Sequence, residues 1–459
     1  MGFLLAWVPA LVILGIVMVA LIAHQPKYAL FLTLLMSFAQ SGLSRYVPIF
    51  TWGLTVDLLL LLCWLIGFFK YWKKFEVGRA NKSLTWVWVA WYAYVFFELF
   101  NPQKEAATIA WFYAMRGVGL YSMLLTPLAL ILMRKPKDMD FWHTIVILNG
   151  FVGAAWGLKQ IYIGVTGIEA IWLQGPAGST HVLFGQLRAF SFFSDASQFG
   201  ASMGHIGLLS SIFVLATNSK VKQIALVITA LMCFWGMVLS GSRAPIAVPA
   251  IGGLVFLALS GRHQVFIIGL FIGSLAFGFL KYTSIAQSNY YIGRMRTALN
   301  PSEDPSYIAR LEKEAKMKVY LASRPFGGGI GAAGFWGLRF TPHTVLANTA
   351  TDGLYYRIWM EGGIVGLTLY LGILIYLLIH GSLITLQIQS PHLRIKSAAI
   401  MAGIGGLMVA SIANELMVQM PTGIIVYGQL AFIWQMKRWD KEYLHEEKLK
   451  MRRKSLIYE

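Results

Sequence analysis

Long apolar runs recur along the whole chain, at 3–23, 49–69, 84–100, 197–216, 223–240, 264–280, 362–379 and 397–414. Most approach the roughly 20 residues that a helix needs to cross the hydrocarbon of a bilayer. At 57% hydrophobic and 13% charged over 459 residues, the chain carries more apolar surface than a soluble fold of this size buries. Every backbone polar group in lipid needs an internal partner, and period-two alternation is absent. The expected fold class is therefore all-α, a polytopic membrane helix bundle and not a barrel. The N-terminal run has no basic leader and no small-residue cleavage site, so it reads as a retained first helix. Cys63 and Cys233 lie inside apolar runs and imply neither a disulfide framework nor a thiolate metal site.

The formal charge of +18 raises the question of nucleic acid, which its distribution answers. Basic clusters sit in short connections: "KYWKK" at 70–74, "RKPK" at 134–137, "NSKVK" at 218–222, "GRH" at 261–263 and "HLRIK" at 392–396, then the tail from 437. Short basic connections mark the cytoplasmic side of a membrane protein and touch anionic lipid, so no nucleic-acid partner is expected. The remaining connections then lie outside, which gives about 12–14 crossings with the C-terminus in.

Four regions follow: N-terminal transmembrane helices over 1–281, a large outer segment over 282–360, C-terminal transmembrane helices over 361–436, and a basic tail over 437–459. Within the outer segment, "PSEDPSYIARLEKEAKMKVYLASRP" predicts an amphipathic helix. Asp304 is its cap, Pro305 its first residue, and Ile308, Leu311, Ala315, Val319 and Ala322 its apolar stripe, with Pro325 as the stop. Such a helix lies on the membrane surface or packs over the outer mouth of the bundle.

Arg294, Arg296, Arg310, Arg324, Arg339 and Arg357 also fall in this segment. Guanidinium groups suit bidentate contact with a lipid diphosphate, or pair with Glu303, Glu312 and Glu314. The glycine-rich "RPFGGGIGAAGFWG" at 324–337 lacks the spacing of a nucleotide loop and reads as backbone that approaches a ligand or a helix closely. "DMD" at 138–140 has the form of a metal-binding Asp-x-Asp, but it sits beside "RKPK" and reads as a solvated cytoplasmic loop. Asp57, Glu98 and Glu415, near or inside apolar runs, read as polar glue between helices.

"SGSRAPIAV" at 240–248, "SYIARLEKEAKMKVYLASRPFGGGIG" at 306–331 and "DGLYYRIWMEGGIVGL" at 352–367 follow one another in an order that resembles the O-antigen ligase and O-antigen polymerase superfamily. The motif-bearing part covers about 239–367, and the multi-helix layout extends the likeness over nearly the whole chain. The resemblance implies a GT-C-like membrane enzyme of the bacterial cytoplasmic membrane, with its active site on the periplasmic side. It would transfer a glycan from undecaprenyl diphosphate, with inversion and without metal or other cofactor, to a glycan, a lipid A-core or a protein hydroxyl. Polymerase, ligase and protein O-oligosaccharyltransferase all remain open.

By the same resemblance Arg243 and Arg310 hold the diphosphate, and Arg188 in "RAFSFFSDASQFG" is a further candidate, although that segment lacks the family's Gly and Pro-Asn. The family's histidine position falls on Asp352, and His343 lies nine residues upstream. Both side-chain types can take a proton from an acceptor hydroxyl. The competing role of Asp352 is to cap the helix that starts at Leu354. Glu361 is placed to pair with Arg357 one turn away and to orient Asp352. Tyr355, Tyr356 and Trp359 are either interfacial aromatics or platforms for sugar faces. A flippase for the same lipid-linked glycan is the alternative from another class. It requires a cationic central cavity and paired half-helices, and no internal repeat is visible in the sequence.

Overall fold

The computed structural model describes residues 17–48, 50–70, 75–261, 281–283, 289–297 and 305–458, with isolated positions at 15 and between 262 and 280. The early part of the first apolar run, most of the run at 264–280, the basic residues at 71–74 and 262–263, and Glu303 and Asp304 lie outside the described residues.

The longer helices are α1 (Lys27–Tyr46), α2 (Gly53–Lys70), α3 (Ser83–Phe97), α4 (Thr108–Leu132, with a wide turn at Arg116–Leu120), α5 (Pro136–Tyr162), α6 (Ala196–Phe213), α7 (Lys220–Leu239) and α8 (Ala247–Ser260). They continue as α9 (Pro305–Tyr320), α10 (Gly334–Phe340), α11 (Leu354–Leu386), α12 (Pro391–Ala410) and α13 (Thr422–Tyr458). Among the described residues seven are long and apolar enough to cross a membrane: those beginning at Ser83, Thr108, Pro136, Ala196, Lys220, Leu354 and Pro391. That number is below the 12–14 crossings expected from the sequence. The described helices with a mixed composition, such as α13 with its basic C-terminal half, do not count toward it. One short antiparallel hairpin, pairing Val182 with Leu187 and Leu183 with Gln186, departs from the all-α expectation.

α6 and α12 are the most enclosed of the spans. Their sequences, "ASQFGASMGHIGLLSSIF" and "SAAIMAGIGGLMVA", are rich in Gly, Ala and Ser, which let helix backbones approach where lipid offers no hydrophobic drive to associate. α8 packs on α12 and α7 on α6, so these helices cover the pair, while α13 packs on α4. Polar groups inside the bundle act as interhelical ties. The Arg116 guanidinium meets Asp57 at 2.6 Å, joining α4 to α2. Glu98 accepts from Asn101 Nδ2 at 2.9 Å within one stretch of chain, and Asn101 Nδ2 makes the link to a distant segment by donating to the Phe326 and Gly327 carbonyls at 3.1 and 3.2 Å. The "DMD" residues lie in the first turns of α5 and not in a loop: buried Asp138 pairs with Lys27 at 2.9 Å, and Asp140, still exposed, pairs with Lys396.

α11 is broken at Gly363, whose φ of +62° is left-handed. Backbone groups freed there are taken up by other segments, as a membrane interior favours. The carbonyls of Met360 and Glu361 accept from Gly328 N at 3.0 Å and Gly329 N at 2.8 Å. The Gly362 carbonyl accepts from Tyr94 Oη at 2.6 Å. Val365 N donates to the Pro325 carbonyl at 3.2 Å. The glycine-rich turn therefore approaches a helix, one of the two readings its sequence allowed. A Cβ on Gly363 would lie 2.0 Å from the Pro325 carbonyl oxygen, and one on Gly327 would lie 2.4 Å from Gly363 N, so both positions require glycine.

Candidate active site

α9 presents its apolar stripe outward and its charged stripe to the protein. Ile308, Leu311 and Val319 are exposed, the last at 78%, whereas Met317 is 3% exposed. The inward face runs Arg310, Lys313, Met317, Tyr320, Arg324, spaced three or four residues apart as one helical stripe and its extension. The apolar stripe faces away from the protein, where lipid suits it, and the charged stripe is laid over the bundle. The helix also ends at Tyr320, five residues before the expected stop at Pro325. The turn that follows is closed by Leu321 N to Met317 O at 2.8 Å and Arg324 N to Leu321 O at 2.9 Å.

Arg324 and the Tyr320 hydroxyl both contact the Glu105 carboxylate, and the Arg324 guanidinium lies 4.5 Å from the centre of the Tyr320 ring. Burial, together with the bond to Glu105 and its charge, pushes the Tyr320 phenol up to about 12. These contacts pin the C-terminal end of α9, while its middle reaches Asp352. Lys313 Nζ lies 3.0 Å from Asp352 Oδ2, and Arg310 Nε lies 3.9 Å from the same oxygen.

Asp352 does not cap α11. The N-cap is Gly353, with no side-chain hydrogen bond, and the carboxylate instead faces the α9 cations. It lines a cavity of about 790 Å³ with Arg310 and Arg357. Arg357, one and a half turns further on, is held between two carboxylates, Glu361 at 3.1 Å and Glu415 at 2.6 Å. Glu361 is buried behind it and also accepts weakly from Ala333 N at 3.4 Å. The pairing of Glu361 with Arg357 is thus as the sequence implied, and Glu415 is polar glue as expected, with Arg357 as its partner.

The cavity has an aromatic wall. Tyr113 of α4 stacks on Trp336 of α10, with ring centres 4.5 Å apart and planes 13° from parallel. Both line the space, as does Asp195. Asp195 Oδ1 caps α6 by accepting from Ser197 N and Gln198 N, each at 2.9 Å.

Arg188 and Arg243 stand beside this cavity and not in its lining. The Arg188 guanidinium is committed to the protein: it donates to the Ser240 carbonyl at 2.9 Å, the Thr180 carbonyl at 2.9 Å and Ser197 Oγ at 3.3 Å. Burial lowers its pKa from the usual arginine value. Arg243 is half-buried in the turn after Ser242, whose hydroxyl is 2.8 Å from Ser197 Oγ. His343 is exposed on the 341–349 loop and is not in the lining either.

Of the three aromatics proposed to meet sugar, none lines the cavity. Tyr355 Oη donates to the Met408 carbonyl at 2.7 Å, and Tyr356 and Trp359 pack against the cluster of Met317 and Leu321. The α11 helix turns these side chains to other faces than Asp352 and Arg357. The sequence reading missed Lys313, Tyr113, Trp336 and Asp195. Only Lys313 had a local signal, its i, i+3 spacing from Arg310.

The sequence matches no protein-family model and no curated protein.

Proposed function

We propose that the chain is a membrane glycosyltransferase that moves a glycan from undecaprenyl diphosphate to an acceptor hydroxyl on the outer face of the cytoplasmic membrane. The acceptor is a growing glycan or lipid A-core, with a protein hydroxyl as the variant within the same superfamily resemblance. The observation that carries this reading is the cavity that unites Arg310, Arg357 and Asp352 with a stacked Tyr113–Trp336 wall beneath a helix whose apolar stripe faces outward.

In the proposed reaction the acceptor oxygen attacks the anomeric carbon of the first sugar, and the bond from that carbon to the diphosphate oxygen breaks. The acceptor proton passes to the Asp352 carboxylate. The negative charge that builds on the departing diphosphate is met by Arg310 and by Arg357, the latter positioned before reaction by its two carboxylate partners. Lys313, 3.0 Å from Asp352 Oδ2, aims the carboxylate. The aromatic wall offers a flat apolar surface for a sugar face.

The test is purified protein in nanodiscs with a synthetic polyprenyl-diphosphate glycan and a glycan acceptor. Release of polyprenyl diphosphate with a new glycosidic bond supports the reading. Movement of the intact donor between leaflets with no bond cleaved supports the flippase and sinks it. Full turnover by Arg310→Ala places the chemistry elsewhere.

A further inference from the structure

A second cavity, of about 420 Å³, opens at the other end of the bundle, between α5, α7 and α12 and the end of α6. α6 carries Asp195 in the first cavity at its N-cap and Phe213 in the second at its C-terminus. At 1.5 Å per residue the two are separated by about 27 Å, close to the thickness of a bilayer core.

The pocket gathers residues from three of the sequence features that the proposed function leaves unused. Lys222 comes from "NSKVK", His392 and Lys396 from "HLRIK", and Asp140 from "DMD". Lys396 is buried and paired with Asp140. Lys222 and His392 are exposed at the mouth. Much of the remaining wall is apolar: Ile147, Leu148, Phe213 and Leu226. Leu148 is 58% exposed, and its neighbours on α7, Val221 and Ile224, are also exposed, so the wall continues onto lipid-facing surface.

We infer that this pocket binds an anionic phospholipid of the leaflet at the basic end of the bundle. A hydrocarbon chain follows the Leu148–Leu226 wall, and the headgroup phosphate takes the Lys222 ammonium at the mouth. The argument for a lipid over a soluble anion is the amphipathic shape, since a free phosphate has no use for the apolar wall. The argument for an anionic headgroup is charge: Asp140 balances Lys396, which leaves the Lys222 ammonium without a carboxylate among the lining residues. One lysine near the membrane surface favours an anionic lipid by about 1 kcal/mol, which is a factor of about five in binding. The bound lipid touches α5, α7 and α12 together, of which α5 and α12 already share the Asp140–Lys396 pair.

The experiment is native mass spectrometry of the full chain released from nanodiscs of mixed phosphatidylglycerol and phosphatidylcholine. The wild type retains phosphatidylglycerol in preference. Lys222→Gln lowers that preference about fivefold and Lys222→Arg restores it. Leu226→Trp, which fills the wall, lowers retention of lipid while the fold, read by thermal unfolding, stays intact. Lys82→Gln, in the separate basic patch beside Trp434, leaves the ratio unchanged. Equal retention of the two lipids by the wild type overturns the inference, as does an equal loss from Lys82→Gln, which would show only general charge attraction. Displacement of the lipid by water-soluble glycerol phosphate would also overturn it, because the apolar wall would then contribute nothing.

Discussion

Arg357 lies 2.6 Å from Glu415 and 3.1 Å from Glu361, so one guanidinium on α11 holds two carboxylates, one of them 58 residues away in the chain. All three side chains are largely withdrawn from solvent, and the cation faces the cavity. Removal of one member of a buried ionic group leaves the others uncompensated, at a cost of roughly 3–5 kcal/mol. Arg357→Met is expected to lower the thermal unfolding temperature of the detergent-solubilised protein sharply and to abolish turnover. Glu415→Gln keeps a hydrogen-bond acceptor and should cost less. An Arg357→Met protein as stable as the wild type would show that the network is not structural.

The break in α11 predicts a second stability effect. Gly363→Ala must place a Cβ at left-handed φ and 2.0 Å from the Pro325 carbonyl. The backbone strain alone is worth about 1–3 kcal/mol, and the steric clash adds to it. Undocking of the 324–331 turn should appear as new proteolytic cleavage there, and Gly372→Ala, with open space around it, serves as the control.

If Asp352 takes the acceptor proton, Asp352→Asn should reduce turnover by about 10²–10⁴-fold while the protein still binds donor. His343→Ala should turn over like the wild type, because the imidazole is exposed outside the cavity. Loss of activity from the histidine variant together with retention in the Asp352 variant would reverse the assignment of the base.

Glu169 predicts a pH dependence of stability. Burial favours its neutral form, but the Thr166 backbone N–H at 2.8 Å and the Trp156 and Gln160 side chains outweigh that and lower its pKa in the folded protein. A carboxylate with a depressed folded pKa stabilises the fold above its unfolded pKa of about 4.3, and the stabilisation fades as pH falls through the folded value. Thermal unfolding between pH 7 and pH 3 should show this loss, and Glu169→Gln should flatten it while lowering stability at pH 7. An unchanged profile in the variant would assign the acid sensitivity to other groups.

Several parts of this structure were readable along the chain because their causes are local. Apolar length and the need to satisfy backbone groups in lipid dictate helices. The Pro305 start of α9, its amphipathic pattern and the i, i+4 pair of Arg357 and Glu361 follow from residues within a few turns of one another. What local pattern cannot specify is which face of an amphipathic helix meets protein and which meets lipid. In water the apolar stripe of α9 would be buried, but beside a membrane both faces have a favourable solvent, and the charged partner Asp352 decides.

The sequence by itself determined that this is a helical membrane protein with a charged helix and a glycine-rich turn in one long connection. Only the tertiary structure decided that Asp352 faces Lys313 and not its own helix end, that Tyr355 turns to Met408, and that Tyr113 and Trp336 meet across more than two hundred residues. It also decided that Arg188 is spent on backbone carbonyls. The reason is physical: these relations depend on how helices distant in sequence pack, and packing is set by the sum of many small contacts that no single stretch contains.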